Sequence, residues 1–142
     1  MNQLELCHVF TVGDHCEGEV QIVKDSTGNY ADSKDTKDRV EAILDGLKRT
    51  GHIRIHDTDI KVKICDLLRS IHSAEYLSFL ESSSRNSDYL EPVFTNIFSY
   101  NNSIQDTPIS DESWQAAYKG AVIAFSAAKY LLEQQVQFTY AL

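Results

Sequence analysis

The stretch SDESWQAAYKGAVIAFSAAKYLLEQQVQFTYAL, residues 110–142, decides the fold. Ser110 is a preferred helix cap, and Asp111 and Glu112 follow in the first turn, where carboxylates favour the positive end of the helix dipole. Trp114, Ala117, Ala121, Phe125, Ala128 and Leu132 recur at helical spacing. They predict a helix over 110–135 whose small residues suit close packing on a sheet or helix. Val136, Phe138, Tyr140, Ala141 and Leu142 then read as a strand, rich in aromatic and β-branched side chains. A strand that follows a helix normally pairs with parallel neighbours, and α/β proteins place their chemistry at the C-terminal ends of such strands.

The same α/β order extends upstream. Leu6 to Val12 is a short apolar run, predicted as a buried strand. Asp35 or Thr36 caps a helix through Arg49, in which Val40, Ile43, Leu44 and Leu47 make one apolar stripe, and Gly51 ends it. His52 to His56 alternates as a strand with Ile53 and Ile55 on its apolar face. Ile60 to Ile71 carries a second helical stripe in Ile64, Leu67, Leu68 and Ile71, and Ser73 caps a third helix holding Tyr76, Leu77, Phe79 and Leu80. Residues 13–34 and 82–106 are polar and irregular and are predicted as long loops, a length usually tied to function in a compact domain. No repeat or linker interrupts the sequence, so one domain over 1–142 is expected.

Composition narrows the function classes. A 42% hydrophobic, 24% charged chain of 142 residues is globular and large enough for one real core. A net charge of −8 argues against non-specific binding to nucleic acid or anionic membranes. No apolar run reaches the ~18 residues that span a bilayer. Met1 to Glu5 lacks the basic start of a signal peptide, and Cys7, Cys16 and Cys65 are odd in number and spread, so a reducing cytoplasm is expected.

Two constellations could carry chemistry. Cys7-His8 with His15-Cys16 offers four zinc-type donors, but the spacing fits no common zinc module. Adjacent strand residues also point to opposite faces, which favours ordinary strand and loop roles. His52, His56 and His72, with Asp57 and Asp59, form the second. On a strand His52 and His56 share a face with Arg54, yet their Cα atoms stand roughly 13 Å apart, too far to grip one metal. A solvent-facing polar side opposite Ile53 and Ile55 is expected there, and a capping or packing role for His72. The sequence has no Gly-rich phosphate loop, G-x-S-x-G elbow or C-x-x-C pair.

DRVEAILDGLKRTG (38–51), IHSAEYLSFLE (71–81) and DTPISDESWQAAYKGAVIAFSAAKYLL (106–132) together resemble the N-terminal part of histone-deacetylase-like proteins, and most of all the bacterial acetylpolyamine amidohydrolases. The likeness spans essentially the whole chain, including the early pair Asp14 and His15, and covers well under half of a family member. It implies an arginase/deacetylase-type α/β fold with a parallel sheet flanked by helices. It also implies hydrolysis of an acetamide by zinc-bound water, with two adjacent histidines as general base and acid and a tyrosine helping to stabilise the oxyanion.

Carried over residue by residue, the resemblance gives this chain a substrate rim and no catalyst. Asp14 and His15 fall in the family's first active-site loop, and Tyr100 and Asn101 in its second, where an aromatic–aspartate or Tyr-Tyr pair is usual. Asn101 departs from that pattern, since its amide accepts a hydrogen bond without negative charge. Asp106 is the better candidate to sit near a polyamine. The segment between Glu81 and Tyr100 is shorter than the insertion the amidohydrolases use to dimerise. The family's proline-glycine-His-His segment directly follows the strand begun by Val136, and its Asp, His and Asp zinc ligands come later. No His-His dipeptide occurs here.

The expectation is therefore the N-terminal segment of a zinc-dependent deacetylase-like amidohydrolase, acting in its complete form on an acetylated polyamine or lysine. The segment alone is expected to hold no zinc and to be inactive. The alternative is a non-enzymatic interaction or oligomerisation module derived from that fold. It would pair with its own copy or a complementing C-terminal part through an open strand edge.

Overall fold

The computed structural model describes residues 7–11, 22–24, 30–32, 37–59, 61–85, 93–94, 108–109 and 113–142. Along the chain these form β1 (Cys7–Thr11), β2 (Ile22–Lys24), β3 (Tyr30–Asp32), α1 (Lys37–Arg49), β4 (Ile53–Asp57), α2 (Cys65–Ile71), α3 (Ala74–Arg85), β5 (Val93–Phe94), β6 (Pro108–Ile109), α4 (Ser113–Gln134) and β7 (Thr139–Ala141). The chain divides into two compact units, one of residues 1–15, 37–64 and 118–142, the other of 16–36 and 65–117.

The first unit is built on a parallel sheet in the order β4-β1-β7. Such pairing needs crossover connections, and α4 supplies the one that leads into β7. Val9 lies opposite Ile55 on one side and Tyr140 on the other, while Phe10 lies opposite His56 and Ala141. The pleat therefore sends His8, Phe10, Arg54, His56, Thr139 and Ala141 to one face and Val9, Ile55 and Tyr140 to the other. α4 covers the first face: Phe10 packs with Ile123, Ala127 and Tyr130, and Thr139 Oγ1 donates to the Ala127 carbonyl at 3.2 Å. On the second face Val9 is fully buried, whereas Ile55 and Tyr140 beside it are exposed.

Local chemistry sets the ends of these elements. α1 presents the expected stripe: Val40, Ile43, Leu44 and Leu47 are half-buried, and the helix positions between them are exposed. Gly51, at φ +69°, closes the helix in a left-handed turn, its N–H donating to the Lys48 carbonyl. Gln135 (φ 52°) makes the same left-handed exit after α4 with a side chain that must tolerate it. Ser73 caps α3 as expected, its Oγ accepting from the Tyr76 N–H at 3.2 Å.

Several expectations are corrected. The helix expected over Ile60–Ile71 starts only at Cys65. Asp59 competes for the backbone just before it, its Oδ1 accepting from the Lys61 N–H at 2.9 Å and its carbonyl from the Val62 N–H. Ile64 is consequently not part of a helical stripe. It is buried ahead of the helix, where Tyr118 Oη accepts from its N–H and donates to the Val62 carbonyl. Leu67 and Ile71, from the same stripe, are exposed, Ile71 by 68%. α4 also turns a different face inward. Val122, Ile123 and Ala127 are its buried residues, while Ala117, Ala128 and Leu132 from the expected face are exposed.

The second unit contains two short antiparallel pairs, β2 with β3 and β5 with β6. They lie in or beside the segments expected to be irregular, so those segments are partly ordered as ribbons. α3 continues to Arg85 and lies beside β6, whose Ile109 is buried. Ser84, also buried, accepts from the Trp114 N–H at 3.0 Å. A side chain from another helix thus meets one of the first-turn donors of α4, which have no carbonyl within the helix to bond. Among the described residues, no helix is long and apolar enough to cross a membrane.

Candidate functional site

Two places in the first unit gather groups with chemical potential. One is the C-terminal end of the parallel sheet, where open α/β folds place ligands. β1 ends at Thr11, β4 at Asp57 and β7 at Ala141. The ends are tied by backbone bonds: the Thr58 N–H donates to the Thr11 carbonyl at 2.8 Å and the Leu142 N–H to the Phe10 carbonyl at 2.9 Å. Thr58 is buried, and among the described residues its Oγ1 has no hydrogen-bond partner. A buried hydroxyl without a partner is costly. Here it is a single polar group at the expected edge of a site, not a ligand set.

The other is a ring cluster under α4. His8 on β1 is buried, and its Nδ1 stands 2.8 Å from Nε2 of His56 on β4. Phe10 stacks on the His56 ring, with centroids 4.6 Å apart and planes 6° from parallel. Tyr130 of α4 lies against all three rings, 4.8 Å from each imidazole centroid and 5.3 Å from Phe10. Burial, then the neighbouring His8 and Arg54 charges, lowers the His56 imidazole's affinity for a proton from its ordinary value. This corrects the expectation that His56 lies on a solvent-facing polar side. The parallel register puts it opposite Phe10 on the face that α4 covers.

Two further histidines take the expected places. His52 and His72 are exposed, and the His72 ring packs on Tyr76 at 5.6 Å. Cys7 precedes His8 on the strand, so its thiol belongs to the opposite face, and burial pushes its pKa up, away from thiolate chemistry. His15 and Cys16, the other half of that constellation, lie outside the described residues. So do all the proposed rim residues, Asp14, His15, Tyr100, Asn101 and Asp106. Among the described residues, no three His, Cys, Asp or Glu side chains gather so as to hold a metal ion.

The residues thus brought together are an imidazole pair and three strand ends, which sequence spacing does not join. His8 and His56 are 48 positions apart. The signal the sequence offers is a histidine beside an alternate apolar residue in each of two strands, CHVFT and IRIHD. It becomes a pair only once the strands are known to be neighbours in parallel register.

Residues 33–142, more than half of the chain, match the family model of the histone deacetylase domain. No relative among the curated proteins matches the chain.

Proposed function

The chain belongs to the histone deacetylase domain family, and from that premise we propose that it is the N-terminal part of a zinc-dependent amide hydrolase acting on acetylated polyamine or acetyl-lysine substrates. The parallel β4-β1-β7 sheet with its helices is an α/β arrangement consistent with a deacetylase-type fold. The observation that carries the reading is the family match over 33–142 together with the passage of α4 into β7, whose C-terminal end is where such a fold builds its site.

In this reading the chain supplies scaffold and substrate rim. Asp14 and His15 border the site from the first loop, and Tyr100, Asn101 and Asp106 from the second, with Asp106 the carboxylate suited to a cationic amine. The described residues do not form a zinc site, and the sequence has no His-His dipeptide. In this reading, as the family resemblance implies, the metal, its activated water and the paired general base and acid belong to the rest of the family's fold. The test is an amidohydrolase assay of the purified chain, with and without added zinc, on an acetyl-lysine peptide and an acetylated polyamine. Turnover should not exceed that of a heat-killed control. Hydrolysis above that control ends the proposal.

A second reading, self-association or capture of a complementing segment, is favoured by the edge at β7. Among the described strands β7 is paired on one side only, and Phe138, Tyr140 and Leu132 around it are exposed by 48, 43 and 78%. An open edge beside apolar side chains is a template for another strand. Sedimentation should show the chain as an oligomer or in concentration-dependent exchange. A compact monomer at high concentration counts against this second reading.

A further inference from the structure

The His8–His56 contact holds a chemical restriction that its packing does not explain. At 2.8 Å, Nδ1 of His8 and Nε2 of His56 can share one proton but cannot each carry one. With both rings neutral, one nitrogen donates and the other accepts. A single added proton leaves this bond intact and charge-assisted. A second added proton turns both nitrogens into donors that face each other, with two like charges in a site roofed by Tyr130 and floored by the sheet.

Among the described residues, none on the facing elements relieves that state. On β4 the charged neighbour on the same face is Arg54, another cation, while Asp57 belongs to the opposite face. α4 brings the Tyr130 ring. Its neighbours Lys129 and Glu133 pair with each other at 3.8 Å, both more than half exposed. β7 contributes Thr139, which does not titrate and donates to the Ala127 carbonyl, while Tyr140 points to the other face.

We infer that the His8–His56 pair is a proton-operated latch joining β1 to β4 beneath α4, closed while the pair holds at most one added proton and opened by the second. Opening removes the side-chain tie that supplements the backbone pairing of the two strands and disturbs the imidazole part of the ring surface on which Tyr130 sits, so acid loosens the seat of α4. This stands independently of the proposed amide hydrolysis, since it uses no residue of the rim.

The sign of the pH effect follows. In the unfolded chain both imidazoles take up protons near the ordinary value of about 6.5. The folded pair resists the second one, as the lowered proton affinity of His56 also indicates. Below about pH 6.5 the unfolded state therefore binds more protons, and stability falls as pH falls. The folded-to-unfolded ratio should drop about tenfold for each pH unit across the window in which one proton is withheld.

The test is urea unfolding of the full chain between pH 7.5 and 5, for the wild type and for His56→Phe. Phenylalanine keeps a ring on Phe10 and Tyr130 without a titrating nitrogen. The wild type should show the acid loss, and the variant should lack the part due to one proton. His15, His52 and His72 are common to both and cancel. Equal slopes overturn the latch. A second measurement does not depend on the variant folding: ¹H–¹⁵N correlation of the wild-type imidazoles. A shared proton requires both rings to be the same tautomer, Nδ1–H on both or Nε2–H on both. Opposite tautomers, or independent titration of both rings near 6.5, would refute the inference.

Discussion

Phe10→Ala is expected to cost about 3–5 kcal/mol, the usual range for deleting a buried aromatic ring. Phe10 is 6% exposed and joins the central strand to the buried face of α4. Its ring packs with Ile123 and Ala127, lies 5.3 Å from Tyr130, and stacks flat on His56. Its backbone sits in the central strand, flanked by β4 and β7. Removing the ring leaves a cavity bounded by sheet backbone on one side and α4 on the other, neither of which can collapse without breaking ladder or helix bonds. A domain of this size is stable by only about 5–15 kcal/mol, so the loss is a large share of the total. The urea midpoint followed by far-UV circular dichroism should fall steeply, and Phe10→Leu should recover most of the difference. A loss below about 1 kcal/mol for the alanine variant would mean that α4 is not seated on this ring.

Sequence alone reveals what neighbouring residues decide among themselves. The α1 stripe, the stop at Gly51 and the Ser73 cap are local: each depends on side chains within one or two helical turns, and each is found. The start of α2 defeats the periodicity because apolar spacing favours a helix from Ile60, while the Asp59 side chain and carbonyl bind the donors of Lys61 and Val62. The short ribbons β2–β3 and β5–β6 offer little alternation to see, being two or three residues per strand. The imidazole cluster is out of reach for a different reason. It depends on which strands are neighbours and in what register, and parallel pairing is set by contacts distant in sequence. The rim residues rest on the family resemblance alone, because they lie outside the described residues.

The second large effect concerns the face of α4. Apolar residues surround this helix almost completely, so periodicity offers two stripes with no strong reason to choose between them. One runs through Trp114, Ala121, Phe125 and Ala128, the other through Val122, Ile123, Ala127 and Tyr130. The sheet makes the choice. Phe10 needs a small residue opposite it, and the Thr139 hydroxyl needs a carbonyl within reach, and Ala127 supplies both. Ala127→Leu is therefore expected to cost about 1–3 kcal/mol, because the added atoms meet a packed ring and a backbone already bonded to β7. Ala128→Leu, one residue on and exposed, should change stability by no more than about 0.5 kcal/mol. Adjacent positions share helix propensity and chain environment, so the contrast isolates the direction each side chain takes. Thermal denaturation of the two variants side by side measures it. If the order reversed, with Ala128→Leu the damaging change, α4 would be turned by one residue, about 100°. Ala127 and Tyr130 would then turn away from Phe10, and the roof that Tyr130 makes over His8 and His56 would be lost.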